Sequence, residues 1–374
     1  MLHELDDLPI HQSSRPLLHP VSASADQYDR FFHNGYSPNG ELVVAVAMGF
    51  YPGRRIADAA ITVVIDGHQH THRASRRCDT DRDTIVGGIT IDIVRPMVEH
   101  RVRVDGRHGI AADLVWRADS VAIEEPRFVR EDGGRTTFDY TRLTQFGSWS
   151  GHLTIDGQRI DLADVGPVRG CRDRSWGIRP IGNRPDGPAT APQFFWLWTP
   201  TRFDDHVLHA AMNHDGDGRP WHESGAVAPL STDNDTRLDA RNIDRITRVD
   251  ADIDWQPGTR WPAHVITRLH RWRADPIEIR HRPVARLQMS GLGYLHPEWG
   301  HGMWRAELDE CRDTIDLSAV RPDDPAMMHT QMVCVAESDG HRGTSIVETL
   351  AIGPHPPSGL TGIIDGATGA APRS

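Results

Sequence analysis

The dipeptide Asp-Gly recurs nine times along the chain, at positions 66, 105, 132, 156, 186, 215, 217, 339 and 365. In a type I′ hairpin turn both central residues take positive φ, which glycine adopts freely and aspartate tolerates. Several of these dipeptides stand between alternating or β-branched runs. Residues 60–65 lead through Asp66-Gly67 to 68–73, residues 100–104 through Asp105-Gly106 to 110–116, and residues 148–155 through Asp156-Gly157 to 158–162. Further strands are predicted over 193–198, 206–213, 263–273, 286–293, 331–337 and 344–352. Helical periodicity is almost missing, the best short candidate being 324–333. Many short strands separated by turns specify a sandwich or a barrel, so the expected class is all-β.

A chain of 374 residues has room for two such units. The segment 179–192, with four prolines, has the composition of a linker or a long loop. It separates an N-terminal barrel over 28–190 from a C-terminal barrel over 191–353. Residues 1–27 and 354–374, rich in Pro, Ser, Ala and Gly, are expected as tails.

Composition excludes several function classes. All 41 basic residues are arginine. Without lysine there is no Walker-type phosphate lysine, no Schiff base and no pyridoxal-phosphate enzyme. The net charge of −11 argues against a nucleic-acid partner. Cys78, Cys171, Cys311 and Cys334 form no CxxC pair and are expected as small thiols in a reducing compartment. Acidic Glu4, Asp6 and Asp7 stand where a signal peptide would be basic. The longest apolar run, 42–50, is about half the length that a transmembrane segment needs. A soluble, cytoplasmic protein is expected.

The densest unusual segment is Gly170-Cys-Arg-Asp-Arg-Ser-Trp-Gly-Ile-Arg179, followed by Gln193-Phe-Phe-Trp-Leu-Trp198. Alternate side chains of a strand share a face, so Asp173 lies opposite Arg172 and Arg174, while Phe194, Trp196 and Trp198 form an aromatic row. Aromatic side chains inside a barrel make an apolar pocket. A carboxyl group there has its pKa raised by desolvation and can donate a proton near neutrality. The alternative is an Asp173 paired with an arginine that merely ties the barrel together. A second cluster runs from Gly291 to Trp304 and includes Tyr294, His296, Glu298, Trp299 and His301. His296 stands where a dinucleotide fingerprint needs its third glycine, and Pro297 spoils a helical zinc site. Pocket groups in an aromatic frame and a packed turn both fit it. His68, His70 and His72 alternate and could share one strand face. A metal site is conceivable there, but polar Gln69, Thr71 and Arg73 favour an exposed strand.

Arg172-Asp-Arg-Ser-Trp-Gly-Ile-Arg179, Trp196-Leu-Trp198 and Phe203-Asp-Asp205 resemble the lipocalin-like superfamily of carotenoid 1,2-hydratase (hydroxyneurosporene synthase), to which AttH-like proteins and kievitone hydratase belong. Tyr28-Asp-Arg-Phe-Phe-His-Asn-Gly-Tyr36 and Tyr294-Leu-His-Pro-Glu-Trp-Gly-His-Gly302 look like an actinobacterial branch of unknown function. The likeness runs from about residue 28 to about 352. It implies two tandem lipocalin-like antiparallel β-barrels, no cofactor and a hydrophobic small-molecule ligand. It also implies that the acid of the central motif, here Asp173, protonates an alkene.

The expected function is a cofactor-independent hydratase, isomerase or cyclase acting on a terpenoid, isoprenoid or polyketide. Asp173, Glu298 and His296 are the candidate catalytic residues. Trp176, Trp196, Trp198, Phe194, Tyr294, Trp299 and Arg179 are the candidate lining, with the tryptophan faces stabilising a carbocation. The alternative is a carrier that binds the same ligand without chemistry.

Overall fold

The computed structural model describes residue 11 and residues 13–182, 192–230 and 240–367. Most of the 179–192 segment, with its Asp186-Gly187 turn, lies outside the described residues. At Asp66-Gly67, Asp156-Gly157 and Asp339-Gly340 both residues have positive φ, as the hairpin reading requires. These turns join strands Ile56–Ile65 to His68–Arg77, Arg135–Ile155 to Gln158–Asp161, and Thr330–Ser338 to His341–Ile352. The helix expected at 324–333 does not form. Asp324 caps a single 3-10 turn, Pro325–Met327, by accepting from the Ala326 N–H at 2.9 Å. β-branched Thr330, Val333 and Val335 then run in strand Thr330–Ser338.

The strands form two curled antiparallel sheets, with no α-helix among the described residues. In the first sheet, strands Gln27–Tyr36, Leu42–Tyr51, Ile56–Ile65 and His68–Arg77 pair in sequence. Gln27–Tyr36 also pairs with Arg169–Ile178, which continues to Arg135–Ile155 and Ile110–Ala118. Ala74 from one end and Val86, Ile89 and Ile91 from the other join one core, which closes the curl. The second sheet is centred on Phe194–Trp198, His341–Ile352 and Thr330–Ser338, and closes around Phe195, Leu197, Leu208, Leu269 and Val347. The fold is two tandem antiparallel barrels. No helix is long and apolar enough to cross a membrane.

A third apolar layer fills the space between the barrels and decides where the functional residues go. Strand Leu42–Tyr51 is buried along its whole length. Val44, Val46 and Met48 enter the first barrel, while Val43, Ala45 and Ala47 face the layer between barrels. The apolar run at 42–50 is therefore a strand covered on both faces. Strand Phe194–Trp198 behaves likewise. Phe195 and Leu197 fill the second barrel, whereas Trp196 and Trp198 face the intervening layer and not the barrel interior expected for the aromatic row.

Strand Leu308–Asp316, from the second half of the chain, pairs with His68–Arg77 at the edge of the first sheet. The histidine face is consequently not an open one. His68 is exposed, His70 is half-buried beside Thr314 at 3.2 Å, and His72 is buried with its Nε2 3.0 Å from Glu310. Residues 354–367, expected as part of a tail, pack on the second barrel through Leu360 and Ala367. The buried Arg260 guanidinium holds them, donating to the carbonyls of Gly353, Gly362 and Asp365 at 2.9 Å and of Ala351 at 3.2 Å. Arg260→Met keeps the apolar stem but leaves those carbonyls unpartnered. We expect a loss of at least about 3 kcal/mol in urea unfolding, with proteolysis within 354–367 as the first cleavage.

Candidate functional site

Side-chain parity sorts the central motif. On strand Arg169–Ile178, Arg172 and Arg174 point into the first barrel. Arg172 donates to Gln145 Oε1 at 2.8 and 3.0 Å and lies over Trp116, while Arg174 pairs with Asp29 above Phe31. Trp176 shares their face and is 42% exposed, so it is no part of a pocket lining with Asp173. Asp173 faces the other way, into the layer between barrels, beside its register partners Phe32 and Thr144.

The carboxylates Glu125, Glu348 and Asp173 meet that layer in different surroundings. Glu125 is buried and receives both arms of Arg142 at 2.7 Å, the Thr144 hydroxyl at 3.0 Å, and His209 Nε2 at 3.4 Å. Burial alone would favour its neutral form, but the Arg142 charge and the His209 contact outweigh it and hold the carboxyl low. Glu348 accepts from Trp196 Nε1 at 2.9 Å, His329 Nε2 at 2.8 Å and Gln331 Nε2 at 2.5 Å. Against the same burial penalty, these donors also keep it ionised. Asp173 is half-buried and has no hydrogen bond or ion pair to its carboxyl group among the described residues. Desolvation dominates there and pushes its pKa up to about 6, with Arg142 and Arg30 opposing and the charges of Glu348 and Glu125 assisting.

The aromatic row has an occupant. The Arg142 guanidinium lies 4.6 Å from the Trp196 ring centroid, 5.1 Å from Phe128 and 5.5 Å from Trp198. A fixed cation therefore uses the faces that the sequence reading offered to a carbocation. Phe194 sits at the half-buried rim, 6.0 Å from Phe138 and near Trp221.

Tyr294 joins the layer beneath Arg30, at 4.9 Å, and stands edge-on between His301 and His329 at 4.4 and 4.6 Å. Arg179 lies over Tyr28 at 4.5 Å and Tyr294 at 5.8 Å. Arg30 Nε and Nη1 and His329 Nδ1 are buried with no protein partner, which leaves two donors and one acceptor around the Tyr294 ring. His296 and Glu298 do not join this group. His296 Nδ1 accepts from the N–H groups of Glu298 and Trp299 and so caps its own turn, and the Glu298 side chain is 70% exposed. Trp299 borders a water-sized void of about 10 Å³ with Arg30, Asp58 and His301.

Sequence reasoning missed Glu125, Arg142, His329 and Glu348, of which Arg142 and Glu348 lie in strands and Glu125 and His329 in connections next to strands. A signal did exist for Glu348, a lone acid within the apolar run Ile346-Val-Glu-Thr-Leu350. The best-formed trio of metal-ligand types is His72, His108 and Glu310, whose ligand atoms lie within 4.8 Å of one another. Glu310 Oε2 already accepts from the Gly88 N–H at 2.8 Å and contacts His72, and Oε1 lies 3.4 Å from Arg107. The trio is a clasp on strand Leu308–Asp316.

Residues 2–361 match a family described as a family of unknown function (DUF8625). The chain belongs to this family. No curated protein matches this family member in sequence. Two solved structures share its fold. One is a protein described as an AttH from Nitrosomonas europaea, with a TM-score of 0.53 and 13% identity, covering 86% of this chain and 92% of its own. The other is kievitone hydratase from Nectria haematococca, with a TM-score of 0.52 and 11% identity, covering 86% and 88%. The tandem lipocalin-like architecture that the central motif implied is thus the architecture of this DUF8625 protein.

The contrast between the two acids can be measured without a substrate. A carboxyl whose folded pKa is raised costs stability as pH climbs from its unfolded value, near 4, through about 6. Asp173→Asn removes that cost. It is expected to raise stability above pH 6 by roughly 1–3 kcal/mol and to change little near pH 4. Glu125→Gln leaves Arg142 buried without its counter-charge and is expected to lose about 3–5 kcal/mol at pH 7. Urea titrations of both variants at the two pH values check this.

Proposed function

We propose that this protein is a cofactor-independent hydratase-type enzyme that adds or removes water, or closes a ring, on a hydrophobic, oxygen-bearing small molecule of terpenoid, isoprenoid or polyketide type. The observation that carries this reading is Asp173, a carboxyl group on the inter-barrel layer with no partner and a pKa near 6. Such a group is a proton donor in nearly neutral solution. The name of one similar fold, kievitone hydratase, is in keeping with hydration.

Glu348 and His329 supply the complementary base. An ionised carboxylate only accepts, so His329 Nε2 carries the proton that meets Glu348, and Nδ1 keeps its lone pair. In the hydration direction Nδ1 takes a proton from water as its oxygen attacks the substrate. Asp173 gives its proton to the other end of the double bond, and the proton on His329 later restores Asp173. The balance is one water added.

The surrounding charge selects the kind of substrate. Arg30 and Arg179, which pair with no carboxylate among the described residues, make the layer hostile to a free carbocation and favourable to an oxygen that becomes negative in the transition state. A conjugated carbonyl compound, reacting through an enolate, fits better than an isolated alkene. Tyr294 and the half-buried Phe194 and Trp221 offer apolar contact for its body.

Turnover is expected to fall as pH rises through about 6, because Asp173 loses its proton. Incubation with a panel of enones and prenylated phenols, followed by mass spectrometry for a change of 18 mass units or an isomer, reads the activity. Asp173→Asn should lower kcat by at least about a hundredfold, as expected for loss of a general acid. Retained turnover in Asp173→Asn overturns the acid assignment. Saturable binding that quenches tryptophan fluorescence, with no product from any bound compound, makes the protein a carrier instead.

A further inference from the structure

A second cavity, of about 270 Å³, opens at the opposite end of the inter-barrel layer. The first sheet contributes Tyr36 and Arg169, which are direct register partners. The second contributes Arg202, Phe203, Arg342 and Thr344, with Arg202 and Thr344 likewise paired. Three guanidinium groups thus reach one cavity from two barrels. Arg202 is fixed by Asp119, with Nη1 donating at 2.7 Å, and its buried Nε has no partner. The Arg169 and Arg342 side chains make no hydrogen bond or ion pair among the described residues.

Acidic residues outnumber arginines, 52 to 41, and many surface arginine forks are clamped by carboxylates, as in Arg101–Asp113, Arg127–Asp139 and Arg321–Asp323. In this cavity two arginines without carboxylates share one lining with a third that has a buried N–H to spare. Asp204 is the acid on the lining, and together with Asp119 it leaves the cavity with an excess of positive charge.

The cavity is separate from the proposed acid. Arg169, Cys171 and Asp173 share a strand face, with roughly 13 Å between the first and last at strand spacing. The interval is filled. Cys171 and Asn34 are buried, Asn34 Oδ1 accepts from the Cys171 N–H at 2.9 Å, and Asn34 Nδ2 reaches Gln331 on the facing sheet at 3.3 Å.

We propose that this cavity is a binding site for a small organic anion, one carboxylate or phosphate group attached to an apolar body. Guanidinium forks match both headgroups in the plane of the bound oxygens. Tyr36 and Phe203 supply apolar wall, and the volume lies just below that of sites for drug-sized ligands, so the ligand is small. Because Arg169 belongs to one barrel and Arg342 to the other, a bound anion bridges them and stabilises their docking.

The test is titration calorimetry and thermal unfolding of the full chain with benzoate, phenyl phosphate and inorganic phosphate, with sodium chloride matching ionic strength. Benzoate or phenyl phosphate should bind with one-to-one saturation and raise Tm, and the tighter of the two identifies the headgroup. Arg169→Gln and Arg342→Gln should each weaken that binding about tenfold or more, as loss of a charge-assisted hydrogen bond implies. Arg95→Gln, at an exposed arginine that lines neither of the two cavities described, and Asp173→Asn should leave it unchanged. The Arg342 side chain is exposed, so its variant should fold with an unaltered Tm in the absence of anion. The proposal fails if neither organic anion saturates, if both arginine variants bind as the parent does, or if inorganic phosphate binds as tightly as phenyl phosphate.

Discussion

The organisation of this protein depends on strands that are buried on both faces. A strand between a barrel core and a second packed surface sends alternate residues into two different compartments. In Leu42–Tyr51 both compartments are apolar, and the strand is simply a shared wall. In Arg169–Ile178 the compartments differ. One face carries Arg172 and Arg174, each satisfied inside the first barrel, and the other carries Asp173. The two-residue period of the backbone thus keeps a carboxyl group out of reach of the guanidinium groups on either side of it in the chain. An acid flanked by arginines in sequence is free of them in space.

The layer between the barrels would be an ordinary hydrophobic interface without its charges. Arg142 and Glu125 neutralise one another, and the aromatic rings around Arg142 replace the water that such a cation loses. Glu348 is held ionised by three donors. Once those pairs are satisfied, their residual fields act on the one carboxyl left without a partner. The two retained negative charges and the burial raise its proton affinity more than the arginines lower it. Asp173 is thus poised by its neighbours' pairing.

Much of this was legible in the residues. Asp-Gly turns flanked by alternating runs marked hairpins that form where the pattern put them, and the central motif carried both the architecture and Asp173. Parity, followed strictly, would also have removed Trp176 from any pocket, since an even-numbered residue cannot share a strand face with Asp173. The unbroken apolar character of 42–50 was a sign of a doubly covered wall. Other features had no local signature. Glu125 meets His209 only when the two sheets pack, and His329 meets Glu348 only when strands Thr330–Ser338 and His341–Ile352 pair. His296 and Glu298 look chemically apt in sequence, but their backbone turns them to cap a loop and face solvent. Whether a polar side chain serves a turn or a cavity is set by tertiary packing that composition does not record.

Strand Leu308–Asp316 has a consequence for how the molecule comes to exist. It completes the edge of the first sheet, yet it is translated well over a hundred residues after the rest of that sheet. During synthesis the N-terminal unit emerges from the ribosome with the backbone groups on the outer edge of His68–Arg77 unsatisfied, a template for pairing with a neighbouring nascent chain. Assembly of the native protein is then a race between a distant segment of the same polypeptide and any foreign strand that arrives first. The edge His-Glu clasp at His72 and Glu310 gives the cognate strand its means of winning.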